Sequence, residues 1–136
     1  MRAAVLIITY LASIPHSFAG DRPFGIVCEA GRWQGYSVTL DQTTGEMQSE
    51  EDAVGFSETM YKFHEDGKKV EVTNALGSAE HSIVRNYPNF RTVAYHYGQD
   101  YVVDTVFDDG FVVEKYTRTL LRPTSYTFRK KCTPLR

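Results

Sequence analysis

Residues Val93–Arg118, VAYHYGQDYVVDTVFDDGFVVEKYTR, decide the fold. Three runs rich in Val, Tyr, Phe and Thr are separated by two short polar breaks. Val93 to Tyr97 ends at Gly98-Gln99-Asp100, and Tyr101 to Phe107 ends at Asp108-Asp109-Gly110 before Phe111 to Thr117 begins. β-Branched and aromatic side chains suit a pleated, half-buried surface. Asp109-Gly110 accepts the positive backbone torsions of a tight hairpin. The stretch therefore predicts an antiparallel meander.

The same pattern extends in both directions. C-terminal to it, Arg122-Pro123-Thr124 interrupts and Ser125 to Cys132 forms a last strand. N-terminal to it, strands are predicted at Trp33–Leu40, Phe56–Phe63, Lys69–Ala75 and His81–Tyr87, with Phe90 opening the strand that contains Val93. Thr59, Tyr61 and Phe63 share one face, and Val70 and Val72 another. Glu65-Asp66-Gly67 and Pro88-Asn89 read as turns. Asp21 to Gly31 reads as irregular. The polar run Asp41 to Val54, DQTTGEMQSEEDAV, is compatible with a loose loop, a hairpin arm or one helical turn. No segment keeps a helical period. About eight short strands in one small domain predict an all-β fold, an antiparallel meander closing into a small eight-stranded up-and-down barrel, with a β-sandwich as the alternative. Closure has a physical attraction, because it removes unpaired sheet edges.

The start of the chain reads as an export signal. Arg2 is followed by a mostly apolar run, Ala3 to Ile14, and Ser17-Phe18-Ala19 fits the small-x-small cleavage pattern. Residues 1–19 are expected to be a signal peptide and 20–136 one domain. The apolar run is short for a bilayer span and is broken by Pro15 and His16, so no span is expected once it is removed. The full chain carries 15 basic and 17 acidic residues. That balance, slightly acidic, disfavours nucleic acid and anionic membrane as partners. The basic residues Arg129, Lys130, Lys131 and Arg136 read as a solvated strand edge and tail. The only two cysteines, Cys28 and Cys132, are expected to form a disulfide in an exported protein, closing a loop whose entropy is worth about 4–5 kcal/mol. The predicted location is secreted or periplasmic.

Gly31-Arg32-Trp33 opens the first predicted strand. A lone Trp there can plug one end of a barrel while the glycine lets backbone pass close. At these residues the chain resembles the lipocalins. Gly31 and Trp33 match their G-x-W, Asp100-Tyr101 matches two positions of their T-D-Y turn, and Arg118 stands where their late Arg packs on the Trp, with Arg129 as a competitor. The resemblance implies a lipocalin-like cup that binds a small apolar or amphipathic molecule, with Trp33 and Arg118 as structural closures of its base.

The chemistry-bearing residues point to binding more than to catalysis. His64, His81 and His96 are dispersed and form no metal-ligand pattern. His96 alternates with Tyr95 and Tyr97, so it faces solvent if Tyr95 faces inward. Among Asp100, Asp104, Asp108, Asp109 and Glu114, only Asp104 sits mid-strand among apolar neighbours. It shares a face with Val102 and Val106 and needs a partner such as Arg118 or Lys115. There is no nucleophile elbow and no phosphate loop. The aromatic inventory is the strongest hint: Tyr61, Phe63, Tyr95, Tyr97, Tyr101 and Phe107 are candidate cavity-lining residues, although a small barrel can also be filled by its own side chains. The expected function is non-enzymatic binding of a small hydrophobic or amphipathic molecule, with no catalytic residues, cofactor or metal. The alternatives are a protein-binding module, such as an inhibitor of a hydrolase that uses the acidic run Gln48 to Asp52, and a structural envelope protein.

Overall fold

The computed structural model describes residues 22–119 and 123–136, and the side chains of residues 52–54 and 97 fall outside that description. The leader expected over residues 1–19 lies outside the described residues. The described chain is all-β. Its strands are β1 (Gly25–Cys28), β2 (Gly31–Leu40), β3 (Met47–Phe56), β4 (Thr59–Phe63), β5 (Lys69–Asn74), β6 (Gly77–Tyr87), β7 (Phe90–Tyr97), β8 (Asp100–Phe107), β9 (Phe111–Arg118), β10 (Thr124–Lys131) and β11 (Thr133–Leu135). They form one antiparallel sheet in the order β11-β1-β4-β5-β6-β7-β8-β9-β10-β2-β3. No helix among the described residues is long and apolar enough to cross a membrane.

The meander read from Val93–Arg118 is β7, β8 and β9, each pairing with the next in chain order. Gly110 N–H donates to the Phe107 carbonyl at 3.0 Å and takes a positive φ of 99°, which closes the β8–β9 turn. The structure adds strands where the residues look like turn formers. Gly25–Cys28, irregular by sequence, is a strand because it has neighbours on both sides: β4 on one and β11 on the other. The polar run 41–54 resolves as a hairpin. Its turn is held by the Asp41 carboxylate, which accepts from the Thr43 and Thr44 amides, and β3 follows. β3 has one strand neighbour, β2, along ten residues, so half of its backbone donors and acceptors face away from any described strand.

Two registers organise the sheet. Gly25↔Lys62 through Cys28↔Thr59 and Gly31↔Phe56 through Leu40↔Met47 follow one unbroken register. β1 and β2 thus act as one long strand beside β3 and β4. At the other end of the chain only Cys132 separates β10, which pairs with β9 and β2, from β11, which pairs with β1. The Cys28–Cys132 disulfide lies at this junction, with Cα atoms 4.2 Å apart and a sequence separation of 104.

Alternation gives β8, β9 and β10 an inner face. Val102, Asp104 and Val106 of β8, Val112 and Glu114 of β9, and Thr124, Phe128 and Lys130 of β10 are buried. The core also holds Ile26, Trp33, Tyr61, Phe63, Val70, Val72 and Val93. Burying each of the larger apolar side chains contributes about 1.5–3 kcal/mol. Trp33 stacks on Phe56 with ring centroids 3.9 Å apart, and Phe56 meets Phe128 edge-on at 5.3 Å. Gly35 stands opposite Phe128. A Cβ there would come within 2.0 Å of the Thr127 carbonyl oxygen, so glycine is what lets β2 approach β10.

Candidate functional site

One end of the curled sheet is sealed by side chains. Asp108 accepts from Arg22 Nε at 2.7 Å and from Arg91 Nη1 at 3.1 Å. The Arg91 guanidinium lies 3.9 Å over the Phe63 ring, and Arg22 also reaches Asn86 at 2.8 Å. These residues come from the segment before β1 and from the hairpin ends at β4, β6–β7 and β8–β9. Asp108 is therefore more than a turn former: it ties two cations across the base.

Toward the opposite end lies a cavity of about 430 Å³. Phe56, Ser57 and Thr59 approach it from the β3–β4 junction, Asn74 and Leu76 from the β5–β6 turn, and Tyr95 and Val102 from β7 and β8. Glu114, Tyr116 and Arg118 of β9 and Tyr126, Phe128 and Lys130 of β10 complete the wall. Leu76 is 73% exposed and Arg118 is also exposed, so the cavity reaches solvent beside them. β-Strand periodicity explains the set, since each β9 and β10 contributor is two residues from the next.

Charge is built into the wall. Lys130 is 1% exposed. Its Nζ donates to Glu114 Oε2 at 2.7 Å and lies 3.6 Å over the Trp33 ring and 5.2 Å from the Phe56 ring centre. Directly across the β8–β9 ladder from Glu114 is Asp104, fully buried just behind the wall. Asp104 Oδ2 accepts the Tyr61 hydroxyl at 2.8 Å and the Tyr95 hydroxyl at 3.0 Å, while Oδ1 has no partner among the described residues. Burial first, and the Glu114 carboxylate second, push the Asp104 carboxyl up to about 7. Burial likewise holds the Tyr61 hydroxyl well above its ordinary range. Nearer the mouth Tyr116 donates to Asp100; burial and that bond raise its hydroxyl, against a hydrogen bond from Arg118 that lowers it. His81 stacks on Tyr95 at 4.5 Å, and burial lowers its imidazole, favouring the neutral form.

The residues expected from sequence divide as follows. Tyr95 lines the cavity, and His96 on the alternate face is exposed. Tyr61 belongs to the buried layer behind the wall, and Phe63 to the sealed base. Tyr101 is 41% exposed beside His96, and Phe107 packs on Phe90. Both alternate with the inward Val102, Asp104 and Val106, so strand parity turns them away from the cavity. The Tyr97 side chain lies outside the described residues. Trp33 is buried as expected, but the cation on it is Lys130, whereas Arg118 stands at the mouth. The partners of Asp104 are two tyrosines rather than Arg118 or Lys115. Lys130, part of an expected solvated basic edge, is instead among the most buried of the described residues. Its parity with Tyr126 and Phe128 is the sequence signal that places it inside. No metal-holding cluster of His, Cys, Asp and Glu occurs among the described residues.

In comparisons with known proteins, the chain matches no family model, no curated protein and no solved structure.

Proposed function

We propose that this protein is a secreted or periplasmic, non-enzymatic binding protein that holds a small amphipathic molecule in a lipocalin-like cup. The observation that carries this reading is the cavity: about 430 Å³, open beside Leu76 and Arg118, walled by Phe56, Tyr95, Tyr116, Tyr126 and Phe128 with charged groups set among them. Apolar walls with a few placed polar groups are what small-molecule sites are made of. The ladders support closure into an eight-stranded barrel: β1 with β2, β3 with β4, and β10 with β11 each count as one long strand, and the last pairs with the first. The disulfide supports an oxidising compartment. Hydrolysis by a carboxylate pair requires both groups to face the substrate, and Asp104 is wholly buried.

Saturable fluorescence enhancement of N-phenylnaphthylamine tests the reading. Val102→Phe, which projects into the cavity, weakens it at least tenfold with unchanged circular dichroism. Absence of binding by the native protein defeats the proposal.

A second reading has its own observation. β3 offers an edge with no strand partner among the described residues, bearing Glu50 and Glu51, both exposed, which suits a protein-binding module with a basic extended partner. Its test is binding of a basic strand-forming peptide by the native chain and by Glu50→Lys/Glu51→Lys, with equal binding counting against it.

A further inference from the structure

We propose that the molecule held in this cavity is a small protonated amine with an aromatic or aliphatic body, and that the Glu114 carboxylate accepts its N–H groups. This rests on the cup reading above and names its ligand class. A tyrosine hydroxyl has one proton to give. Tyr116 gives its proton to Asp100, and Tyr95 gives its proton to Asp104 Oδ2 at 3.0 Å. Both tyrosines line the cavity, so neither has a proton left for an anion. Glu114 adds a carboxylate to the same wall. Phe56, Tyr126 and Phe128 line the same cavity, and aromatic rings attract a cation.

Two cations in the wall weigh on the other side. Lys130 is bonded to one oxygen of Glu114, Oε2, at 2.7 Å and directed onto the Trp33 ring. Arg118 is exposed at the mouth, where solvent and salt screen it. An anion that passed Arg118 would meet the Glu114 carboxylate, which an ammonium meets as a partner.

Proton linkage offers an independent readout. The groups facing Asp104 are Tyr61 from β4, Tyr95 from β7, Glu114 from β9 and, across Glu114, Lys130 from β10. The Asp104 carboxyl, raised to about 7, carries a proton below that pH. A cation seated beside Glu114 favours the ionised form of Asp104 and releases that proton.

Displacement of N-phenylnaphthylamine from the full chain by phenethylamine, phenethyl alcohol and hydrocinnamate compares one ring carrying a positive, a neutral and a negative head. The amine is expected to displace at least tenfold more tightly than the alcohol, with hydrocinnamate weakest. Glu114→Gln reduces the amine's advantage to under threefold. Because that change removes the carboxylate from Lys130, Tyr126→Leu serves as the second variant: it takes an aromatic ring out of the wall and weakens the amine more than the alcohol. Calorimetry in two buffers of different ionisation enthalpy reports proton release on amine binding, which Asp104→Asn abolishes. Alcohol or hydrocinnamate binding as tightly as the amine overturns the amine assignment and leaves the cup standing. Failure of the reporter itself to bind removes both.

Discussion

Asp104 is the residue at which burial and charge conflict most directly. Its folded pKa of about 7 lies above the 3.8 of a free carboxyl, so between those values the native state holds a proton that the unfolded chain has lost. Stability from this group is complete below about pH 4 and is lost as pH rises through about 7. Urea midpoints of the native protein, referenced to Asp104→Asn, are expected to fall by a few kcal/mol equivalents between about pH 5 and about pH 8. Asn keeps an acceptor for Tyr61 and Tyr95 without titrating, and a parallel pH profile for the two proteins refutes the account. The neighbouring pair obeys a different rule. Lys130 and Glu114 are each costly inside unless paired, so Glu114→Ala is expected to destabilise by about 3–5 kcal/mol. Lys130→Met combined with Glu114→Leu, which removes both charges, recovers most of that loss in thermal melts. A double variant as unstable as the single one argues that the ion pair itself stabilises the fold.

Among the elements, legibility follows periodicity. β7, β8 and β9 are readable because Val, Tyr and Phe alternate between clear turn signals, and parity alone places Asp104 on the Val102–Val106 face. β1 and β11 are not readable. Each is four residues or fewer and contains Gly or Pro; β11 is a strand because β1 lies beside it, and β1 because it lies between β11 and β4. β3 is hidden by its carboxylates, which an edge strand tolerates because one side of it meets solvent. The cavity set is half legible: residue type and parity agree on Tyr95, whereas residue type alone favours Tyr101 and Phe107, and the parity of β8 puts both outside. Register against β10 also makes Gly35 testable. Gly35→Ala drives a methyl toward the Thr127 carbonyl and the Phe128 ring and is expected to cost about 1–3 kcal/mol. Gly31, four residues earlier on the same strand, has open space where a methyl would stand, so Gly31→Ala is expected to stay within about 0.5 kcal/mol. Equal melting temperatures for the two variants contradict the close approach of β2 to β10.

For the whole molecule, the decisive contact is the one that joins its two ends. β1 and β11 share only three register pairs, Gly25↔Leu135, Ile26↔Pro134 and Val27↔Thr133, and Pro134 has no amide to donate. So short a ladder closes a loop of over a hundred residues, whose entropy cost the disulfide removes from the folding equilibrium. Next to it, Cys132 N–H donates to the Gly110 carbonyl at 2.6 Å, anchoring the end of β10 to the β8–β9 turn. The sealed base, with Arg22, Arg91 and Asp108, lies at this same end, so it depends on the junction more than the cavity mouth does. Cys28→Ser/Cys132→Ser is expected to lose about 4–5 kcal/mol, at most, because the loop-entropy figure is an upper value. Amide exchange separates this account from general loosening. β1, β11 and the Arg22 segment lose protection first, while the β7–β9 amides keep theirs up to global unfolding. Uniform loss of protection across all strands, or none in β1 and β11, shows that the ends are held by something other than the Cys28–Cys132 junction.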